Sequence, residues 1–577
     1  MSTRKFPLKI HLKILCAALL GAFAAHPAPV RIAFAAEGET APPPPMDIPY
    51  MHEEAMAAGI DHAYRGGWEF FVGGGVASFD CNGDRRPDLF LAGGTEPAAL
   101  YVNRSPTGGA LKFEQKDTGL PQRDLTNVSG AYPIDIDNDG HLDLVVLRVG
   151  ENRILKGGPD CTFTQANRLL SFDGGRAWTT AFAAEFEQGM PFPTLAFGNY
   201  VDRAAPGSPW GTCHDNDLFR PQKRELTEDG KAAMPAYSER TALSPGYCAL
   251  SILFTDWHRS GTPDLRITND RQYYRGGEEQ LWRVEPGRPP RLFTRSEGWR
   301  SVQIWGMGIA EADLDADGYP EYALTSMGDT KMQTLDEDAE EGRPVYRDIA
   351  FEHGATAHRP YAGNDLRPST GWHAGFEDFN NDGKLDLFIA KGNVEQMPEF
   401  AAFDPDNLLL GGLGGKFTEA GHLAGIDLPT RGRGAALADF NMDGMVDLLV
   451  VNREHNVSLF RNLGAKSDPQ SSDPSRARPM GNWLEIELAQ KNVNLDAIGA
   501  TISVKTGNTT RVRKVQVGGG HASGHLGFVH VGLGVSERAE IRVHWPDGTW
   551  SAPYRVFANN FVRIERGSER ARYWLPE

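Results

Sequence analysis

The sequence predicts an all-β protein, with a seven-bladed β-propeller followed by a small C-terminal all-β domain. An acidic loop motif recurs seven times, each copy lies between two β-rich runs, and a different alternating pattern fills the last hundred residues. A chain of 577 residues is too long for one ordinary hydrophobic core, which favours a repeat architecture. We place the propeller at residues 51–465, a linker at 466–480 and the C-terminal domain at 481–570.

The repeat has the form Asp-x-Asp/Asn-x-Asp-Gly-x-x-Asp, and its copies start at positions 80, 135, 185, 256, 313, 378 and 439. Each unit is long enough for four short strands. Gly-x-Ala-x-x-Asp or a similar segment precedes most loops, and a β-rich run such as residues 448–451 follows. A linear β-solenoid is the alternative, but its repeats are shorter than these, so radial blades are favoured.

Five copies keep oxygen-bearing side chains at positions 1, 3, 5 and 9, the ligand chemistry that calcium prefers. Glycine at position 6 of four copies permits the turn. Strands, not helices, flank the loops, which excludes an EF-hand, and magnesium demands stricter octahedral geometry. Asp and Asn also form turns without metal, but a turn should not need the acid at position 9. We therefore expect about five structural calcium ions. The predicted ligands are Asp80, Asn82, Asp84, Asp88, Asp135, Asp137, Asp139, Asp143, Asp313, Asp315, Asp317, Glu321, Asp378, Asn380, Asp382, Asp386, Asp439, Asn441, Asp443 and Asp447.

Two copies have lost part of this ligand set. The copy at 256 keeps Asp256 and Asp264 but carries His258 and Ser260 between them, and the copy at 185 keeps only Glu185 and Glu187. Metal binding in blades three and four is therefore left open.

The N-terminus resembles a secretory signal peptide. Four basic residues precede a short apolar run at 14–25, and two small-x-small cleavage sites follow, at Ala22-Phe23-Ala24 and Ala33-Phe34-Ala35. The run is too short to span a bilayer, so we expect removal of residues 1–36 rather than a retained membrane anchor. A proline-rich linker at 37–50 then leads to a periplasmic or extracellular protein without a membrane span.

Four cysteines remain after that removal: Cys81, Cys161, Cys213 and Cys248. In an exported protein they allow two disulfides in three connectivities. Proximity along the chain favours Cys213–Cys248 and Cys81–Cys161, and buried free thiols are the alternative. The formal net charge of −17 argues against a nucleic-acid partner.

These loops resemble the FG-GAP (VCBS-type) repeats of integrin-α-like propellers. The segments 59–64 and 73–77 resemble the opening of the cartilage acidic protein family and its bacterial relatives. The C-terminus is similar to an ASPIC/UnbV domain at Asn482-Trp483-Leu484, Ala497-Ile498-Gly499-Ala500 and Val543-His544-Trp545-Pro546-Asp547-Gly548. The resemblance implies an extracellular binding, adhesion or scaffold protein, although a fold does not dictate function.

The segments that precede the first strands of the blades should emerge opposite the calcium loops. Trp178, Trp305, Trp372, Arg431 and Arg433 occupy this position and could form a ring that binds a carbohydrate or an acidic protein segment. The alternative is that the tryptophans pack between blades and the arginines pair with nearby acids.

No recognisable catalytic motif stands in the sequence. His373 with Glu377, or His214 with Asp215, could be nominated as an acid–base pair, but lone His–acid neighbours are more often structural. We expect a non-catalytic binding, adhesion or scaffold protein whose protein or carbohydrate ligand is unknown. A polysaccharide-acting enzyme, or an assembly or maturation factor for an exported enzyme, is the alternative.

Overall fold

A computed structural model describes residues 46–576, apart from 210, 223–233, 271–277, 301, 467, 469–472 and 474–475. The predicted signal peptide and most of the proline-rich linker lie outside the described residues. Within the described part of the chain, no helix has the length and apolar character needed to cross a membrane. Among residues 46–576 as described, helices are confined to single turns. The α-helical turns are Gln122–Leu125, Ala350–His353 and Gly421–Ala424, and the 3₁₀ turns are Trp68–Phe70, Pro159–Cys161, Arg295–Glu297 and Leu413–Gly415.

Seven antiparallel sheets form the propeller, and each consists of four consecutive strands except the last. The N-terminal strand is β1 (Pro49–Glu53). Blade 1 contains β2 (Val76–Phe79), β3 (Asp88–Leu91), β4 (Ala99–Asn103) and β5 (Phe113–Lys116). Blade 2 contains β6 (Val128–Ile134), β7 (Asp143–Arg148), β8 (Arg153–Gly158) and β9 (Thr162–Gln165). Blade 3 contains β10 (Thr179–Glu185), β11 (Thr194–Asn199), β12 (Asn216–Phe219) and β13 (Arg240–Leu243). Blade 4 contains β14 (Ala249–Thr255), β15 (Asp264–Asn269), β16 (Gln280–Arg283) and β17 (Arg291–Leu292).

The remaining blades follow the same order. Blade 5 contains β18 (Gly306–Ala312), β19 (Glu321–Ser326), β20 (Lys331–Leu335) and β21 (Tyr346–Asp348). Blade 6 contains β22 (Gly371–Glu377), β23 (Asp386–Lys391), β24 (Asn407–Gly411) and β25 (Phe417–Glu419). Blade 7 contains β26 (Gly432–Ala438), β27 (Asp447–Asn452) and β28 (Ser458–Lys466), with β29 (Ala477–Arg478) at the end of β28.

The two ends of the propeller sequence close the ring within blade 7. Strand β1 pairs antiparallel with β28 and so supplies the outer strand of the last blade. The first strands of successive blades contact one another around the axis, and β26 of blade 7 returns to β2 of blade 1. The seven-bladed β-propeller is therefore confirmed, and each blade contains one repeat copy, which starts at the end of its first strand. The structure begins the propeller at Pro49, within the segment read as linker, because the closing strand precedes the first repeat.

The C-terminal domain is a sandwich of two four-stranded sheets. Its strands in chain order are β30 (Asn482–Ala489), β31 (Thr501–Thr506), β32 (Thr509–Lys514), β33 (Gly524–Leu526), β34 (Val529–Gly534), β35 (Arg538–His544), β36 (Tyr554–Phe557), β37 (Asn560–Glu565) and β38 (Arg572–Trp574). One sheet has the order β34-β30-β37-β38 and the other β32-β31-β35-β36. Their buried faces form a core that includes Leu484, Ile502, Ile541 and Val562.

One segment of this domain, residues 515–526, leaves the sandwich and fills the centre of the propeller; we call it the axial segment. Its strand β33 pairs parallel with β2 of blade 1. Other residues of the segment bridge to first strands of further blades, as in Ala131↔Ser523, Ala184↔Val517 and Ile309↔Gly520. Three consecutive glycines with positive φ, Gly518 to Gly520, allow the backbone of the axial segment to approach the first strands closely. The C-terminal domain and the ring are thereby one packed unit.

Both favoured disulfides are present. Cys81–Cys161 links blades 1 and 2, and Cys213–Cys248 links blades 3 and 4. Each bond therefore ties neighbouring sheets of the ring together.

Candidate functional site: the acidic loops and the domain that covers them

The acidic loops connect the first and second strands of their blades and share one backbone shape. Six of the seven have left-handed residues at positions 4 and 6, such as Ala316 and Gly318 in blade 5. Blade 1 has Arg85 at position 6, with φ of 65°. The loop of blade 4, which lacks two of the acids, adopts the same pattern at Arg259 and Gly261. The turn therefore forms without acids at positions 3 and 5.

The acid at position 1 stabilises this turn by accepting the N–H of position 6. The N···O distance is 2.7 Å for Asp378 and Gly383, and 2.8 Å for Asp256 and Gly261 in blade 4. Equivalent bonds in the other complete loops span 2.6 to 3.0 Å.

The acid at position 9 also has a role in holding the loop, which corrects the expectation that a turn does not need it. One oxygen of Asp447 accepts the N–H of Phe440 at position 2, at 3.0 Å, and the other accepts the N–H of Asn462 on β28, at 2.8 Å. Asp88, Asp143 and Asp386 make the same pair of bonds in their blades. Position 9 thus joins the loop to the third strand of the blade.

Side chains at positions 1, 3 and 9 converge in the loops that carry acids at all three. In blade 2, oxygens of Asp135, Asp137 and Asp143 lie within 4.8 Å of one another, as do those of Asp313, Asp315 and Glu321 in blade 5. Across the described part of the chain, the Oδ1 atoms of Asp137, Asp313 and Asn441 are buried and have no hydrogen-bond partner. Buried acceptors without a donor are the environment that a bound cation would satisfy.

Burial raises the pKa of many of these carboxyl groups. The pKa rises to about 7 for Asp135, Glu321 and Asp378, and to about 8 for Asp88. Loss of water is the largest cause, and repulsion from neighbouring carboxylates such as Asp382 adds to it. A cation bound beside these groups would favour their ionised forms and lower these pKa values.

In some loops a lysine of the chain contacts the acids. The Lys156 ammonium in blade 2 is hydrogen-bonded to both Asp137 and Asp139. In blade 6, Lys384 Nζ lies 2.7 Å from Asp382 Oδ2. The sequence pattern did not reveal Lys156, because it lies on β8 and reaches the loop only through the pairing of blade 2.

The two eroded loops are completed by other side chains. In blade 3, Arg220 Nε donates to Glu187 Oε1 at 2.6 Å, and Thr194 donates to the same oxygen at 2.7 Å. In blade 4, the Trp257 indole N–H donates to Asp264 Oδ2 at 2.7 Å, in place of the backbone N–H used elsewhere. A side-chain cation thus lies in the blade 3 loop.

The C-terminal domain packs directly on several loops. A Cβ at Gly444 would overlap the Trp483 indole, and one at Gly532 would overlap the Asp378 carboxylate. The buried His530 imidazole lies 2.7 Å from Asn381 Oδ1 and 2.8 Å from Glu485 Oε1. The loops of blades 6 and 7 are therefore covered by the domain.

The structure corrects the expectation of an exposed ring on the opposite face. Trp178 is 1% exposed and packs edge-on against Trp68 and Tyr200. Trp372 is fully buried, and the Arg433 guanidinium lies 4.0 Å from its ring centre.

The two arginines are occupied by the chain itself. Arg433 donates to backbone carbonyls, among them those of Phe71 and Val394, and Arg431 pairs with Glu395 at 3.0 Å. Trp305 is 40% exposed. Trp178, Trp372 and the two arginines therefore pack and pair as in the alternative interpretation, because blade-to-blade contacts near the axis enclose them, whereas Trp305 stays partly exposed.

The histidines and acids that were nominated as acid–base pairs contact other residues instead of each other. His373 Nδ1 accepts the backbone N–H of His521 in the axial segment at 3.1 Å, and burial lowers the pKa of His373 to about 3. Glu377 pairs with Arg513 of the C-terminal domain. His214 lies 3.4 Å from Asp202, while Asp215 accepts the N–H of Gly246. These residues hold the fold together.

Comparison with known proteins gives two family matches. The FG-GAP-like repeat matches residues 80–146 and 378–450, and the ASPIC and UnbV domain matches residues 490–571. The chain is 25% identical to cartilage acidic protein 1 of Mus musculus over 497 residues, which are 82% of this chain and 70% of the mouse protein. The Xenopus tropicalis protein of the same name is also 25% identical, over 500 residues and with the same shares.

Similarity to solved structures is more distant. A structure of an Agrocybe aegerita lectin that recognises non-reducing terminal N-acetylglucosamine superposes with a TM-score of 0.34 at 13% identity, covering 60% of this chain and 79% of the lectin. A structure of BBS1N in complex with ARL6DN superposes with a TM-score of 0.37 at 9% identity, covering 72% of this chain and 96% of the other.

Proposed function

This chain is an FG-GAP-repeat propeller with a C-terminal ASPIC and UnbV domain, and we propose that it is an exported, calcium-stabilised binding or scaffold protein without catalytic activity. The observation that carries the proposal is the set of acidic loops whose carboxylate oxygens converge, while some buried oxygens among them lack any donor in the described structure. Bound calcium would neutralise them. The acids that would hold it are Asp313, Asp315 and Glu321 in blade 5, and Asp135, Asp137 and Asp143 in blade 2, where calcium would compete with the Lys156 ammonium for Asp137.

The loops form part of an interface, which explains how a cation would act on the whole molecule. The C-terminal domain rests on Asp378 and Gly444, within the loops of blades 6 and 7, and its axial segment joins first strands around the ring. Neutralising the acids of the loops would stabilise both the blades and their interface with the C-terminal domain. This supports a structural role for calcium, so a partner or ligand would bind to other surfaces of the protein.

Export is supported by the two disulfides and by the similarity to cartilage acidic protein 1. Disulfides persist in oxidising compartments and are rare in the reducing cytosol. The N-terminal basic and apolar pattern agrees with this assignment.

Thermal unfolding with calcium and with excess EGTA tests the proposal. We expect chelation to lower Tm by at least about 10 °C, because each saturated site contributes about 2–3 kcal/mol at a ligand concentration a hundredfold above Kd. Magnesium added after EGTA should restore little of the loss. Equal Tm values with calcium and EGTA would contradict the calcium assignment.

Binding is tested by capture from a culture supernatant with the full chain as bait, with calcium and with EGTA. A partner retained only with calcium supports a binding function. Turnover of a polysaccharide by the purified protein would refute the absence of catalysis.

A further inference from the structure

A cleft of about 700 Å³ lies where the C-terminal domain meets the ring on the side of blades 4 to 6. Its floor is formed by the ends of the first strands β14, β18 and β22, and its roof by β31 and β32. The axial segment closes its inner end through Gly518, Gly519 and Gly520. The volume falls within the range of small-molecule sites, and a site between domains is a common location for one.

Two ion pairs between ring and domain line this cleft. Glu311, at the end of β18, accepts a hydrogen bond from Lys514 Nζ at 3.0 Å. Glu377, the last residue of β22, pairs with Arg513. Each glutamate therefore has its counter-charge within the chain, and the cleft needs no charged ligand to neutralise these two carboxylates.

Each carboxylate uses only one of its oxygens in that pair. Among the residues that the structure describes, the Oε2 atoms of Glu311 and Glu377 are buried without a hydrogen-bond partner. The Glu311 side chain is 4% exposed. A buried carboxylate oxygen without a donor is costly, so the arrangement calls for a group that supplies one.

Two further residues that line the cleft also carry unpartnered acceptors. The Oε1 atom of Gln516 and the Nδ1 atom of His525 are buried and have no partner in the described part of the chain. His525 Nε2 lies 3.3 Å from the carbonyl oxygen of Phe528, so Nε2 carries the proton and Nδ1 is the acceptor. These four unpartnered atoms are acceptors, as is Asp313 Oδ1 of the blade 5 loop, which also lines the cleft. The set indicates an occupant rich in hydrogen-bond donors.

An aromatic side chain stands at the rim of the cleft. Trp550 is 53% exposed and lines it together with His544, on which its ring stacks at 4.8 Å. An exposed indole offers an apolar face against which a flat ligand surface can pack. A ligand with many hydroxyl donors and one apolar face matches both features.

We propose that this cleft binds a neutral carbohydrate, with hydroxyl groups donating to Glu311, Glu377, Gln516 and His525 and one sugar face packing on Trp550. The inference rests on the proposed binding function and names its ligand class and site. A metal ion is a poorer occupant of the sugar position. The converging group of Asp313, Asp315 and Glu321 belongs to the adjoining blade 5 loop, and in the described structure Glu311, Glu377 and His525 are not part of any group of three acidic, histidine or cysteine ligand atoms within 4.8 Å. An ammonium ligand is disfavoured because each glutamate already has a basic partner.

Titration calorimetry of the full chain in calcium buffer, with soluble hexasaccharides of glucose, xylose, mannose and N-acetylglucosamine as probes, tests the proposal. We expect at least one probe to bind with Kd below about 1 mM, the range of −4 kcal/mol binding free energies. Trp550→Ala should weaken that binding at least about tenfold, the equivalent of 1.4 kcal/mol. The matched control is Phe557→Ala, which truncates a similarly exposed aromatic side chain of the same domain outside the cleft and should leave Kd unchanged.

Gln516→Leu removes an acceptor from the cleft without touching the ion pairs and should also weaken binding at least about threefold, with unchanged Tm. Absence of binding for all four probes, or equal binding by wild type and Trp550→Ala, would overturn the proposal. Binding of a polyamine such as spermidine in place of the sugars would overturn it as well. If these results are obtained but calcium still raises Tm in the same sample, the proposal of a carbohydrate site is refuted and the proposal of a calcium-stabilised scaffold is retained.

Discussion

The loops of blades 4 and 5 have the same backbone shape but different charges. Both have left-handed residues at positions 4 and 6, and both keep an acid at positions 1 and 9. Blade 5 carries Asp315 and Asp317 at positions 3 and 5, where blade 4 carries His258 and Ser260. Bonds accepted by positions 1 and 9 are common to both loops, and the position 5 side chain also accepts the N–H of position 7 in both, from Thr262 to Ser260 in blade 4 and from Tyr319 to Asp317 in blade 5. A carboxylate at position 5 is therefore not needed for this contact, and it adds repulsion that a bound cation would offset.

Blade 3 extends this comparison to a loop that carries its own cation. Arg220 lies against Glu187 where a complete loop would gather further acids. A guanidinium cannot be lost at any ordinary pH, so this loop needs no dissolved ion. The chain thus supplies a counter-charge in blade 3, as Lys156 does in blade 2.

Removing the acid at position 9 should cause the largest loss of unfolding free energy, with or without calcium. In Asp447→Asn the amide NH₂ would face one of the backbone N–H groups of Phe440 and Asn462, so we expect a loss of about 3 kcal/mol of unfolding free energy. Urea unfolding monitored by tryptophan fluorescence measures it. Asp264→Asn in blade 4 is the matched control and should cost a similar amount, since Asp264 accepts from Trp257 and Val284. A loss in Asp447→Asn that appears only with calcium would contradict a turn-holding role.

Changing position 5 should have a smaller effect that depends on calcium. Asp443→Ser gives blade 7 the residue that blade 4 has at this position. We expect the loss of one ion from the calcium stoichiometry and of about 2 kcal/mol of the stabilisation by calcium, because one binding site is removed. Stability in EGTA should be unchanged or increased, since a repelling carboxylate is gone. An unchanged stoichiometry by calorimetry would argue against an ion in blade 7.

The smallest expected effect is the change in unfolding free energy with pH in the calcium-free protein. Burial raises the folded-state pKa of Asp135 and Asp378 to about 7, above the value in the unfolded chain. The folded state therefore binds more protons between these values, and stability falls as pH rises through about 7. We expect the protein in EGTA to be at least about 1 kcal/mol more stable at pH 5 than at pH 8.

With saturating calcium the trend should weaken or reverse, because metal ligands must be deprotonated. Urea unfolding at the two pH values, each with calcium and with EGTA, measures this. Higher stability at pH 8 in EGTA would contradict it.

Much of the fold could be predicted because the repeat is local. Each loop, its turn-forming residues and its flanking β-rich runs lie within about twenty residues, so the spacing of the motif located all seven blades. The two disulfides were predicted by the same reasoning from proximity, and the structure contains both. The prediction that Trp178 and Arg433 lie on an exposed surface was wrong. The local sequence near the start of a strand does not indicate whether the next blade covers the side chain.

The sequence by itself determined the number of blades, the acidic loops and the presence of a second β domain, since each of these depends on short, periodic stretches. The tertiary structure alone decided which chain end closes the ring, where Lys156 and Arg220 lie, and that residues 515–526 of the C-terminal domain fill the channel. These contacts join residues tens to hundreds of positions apart. They depend on the closed geometry of seven sheets, which local pattern cannot encode.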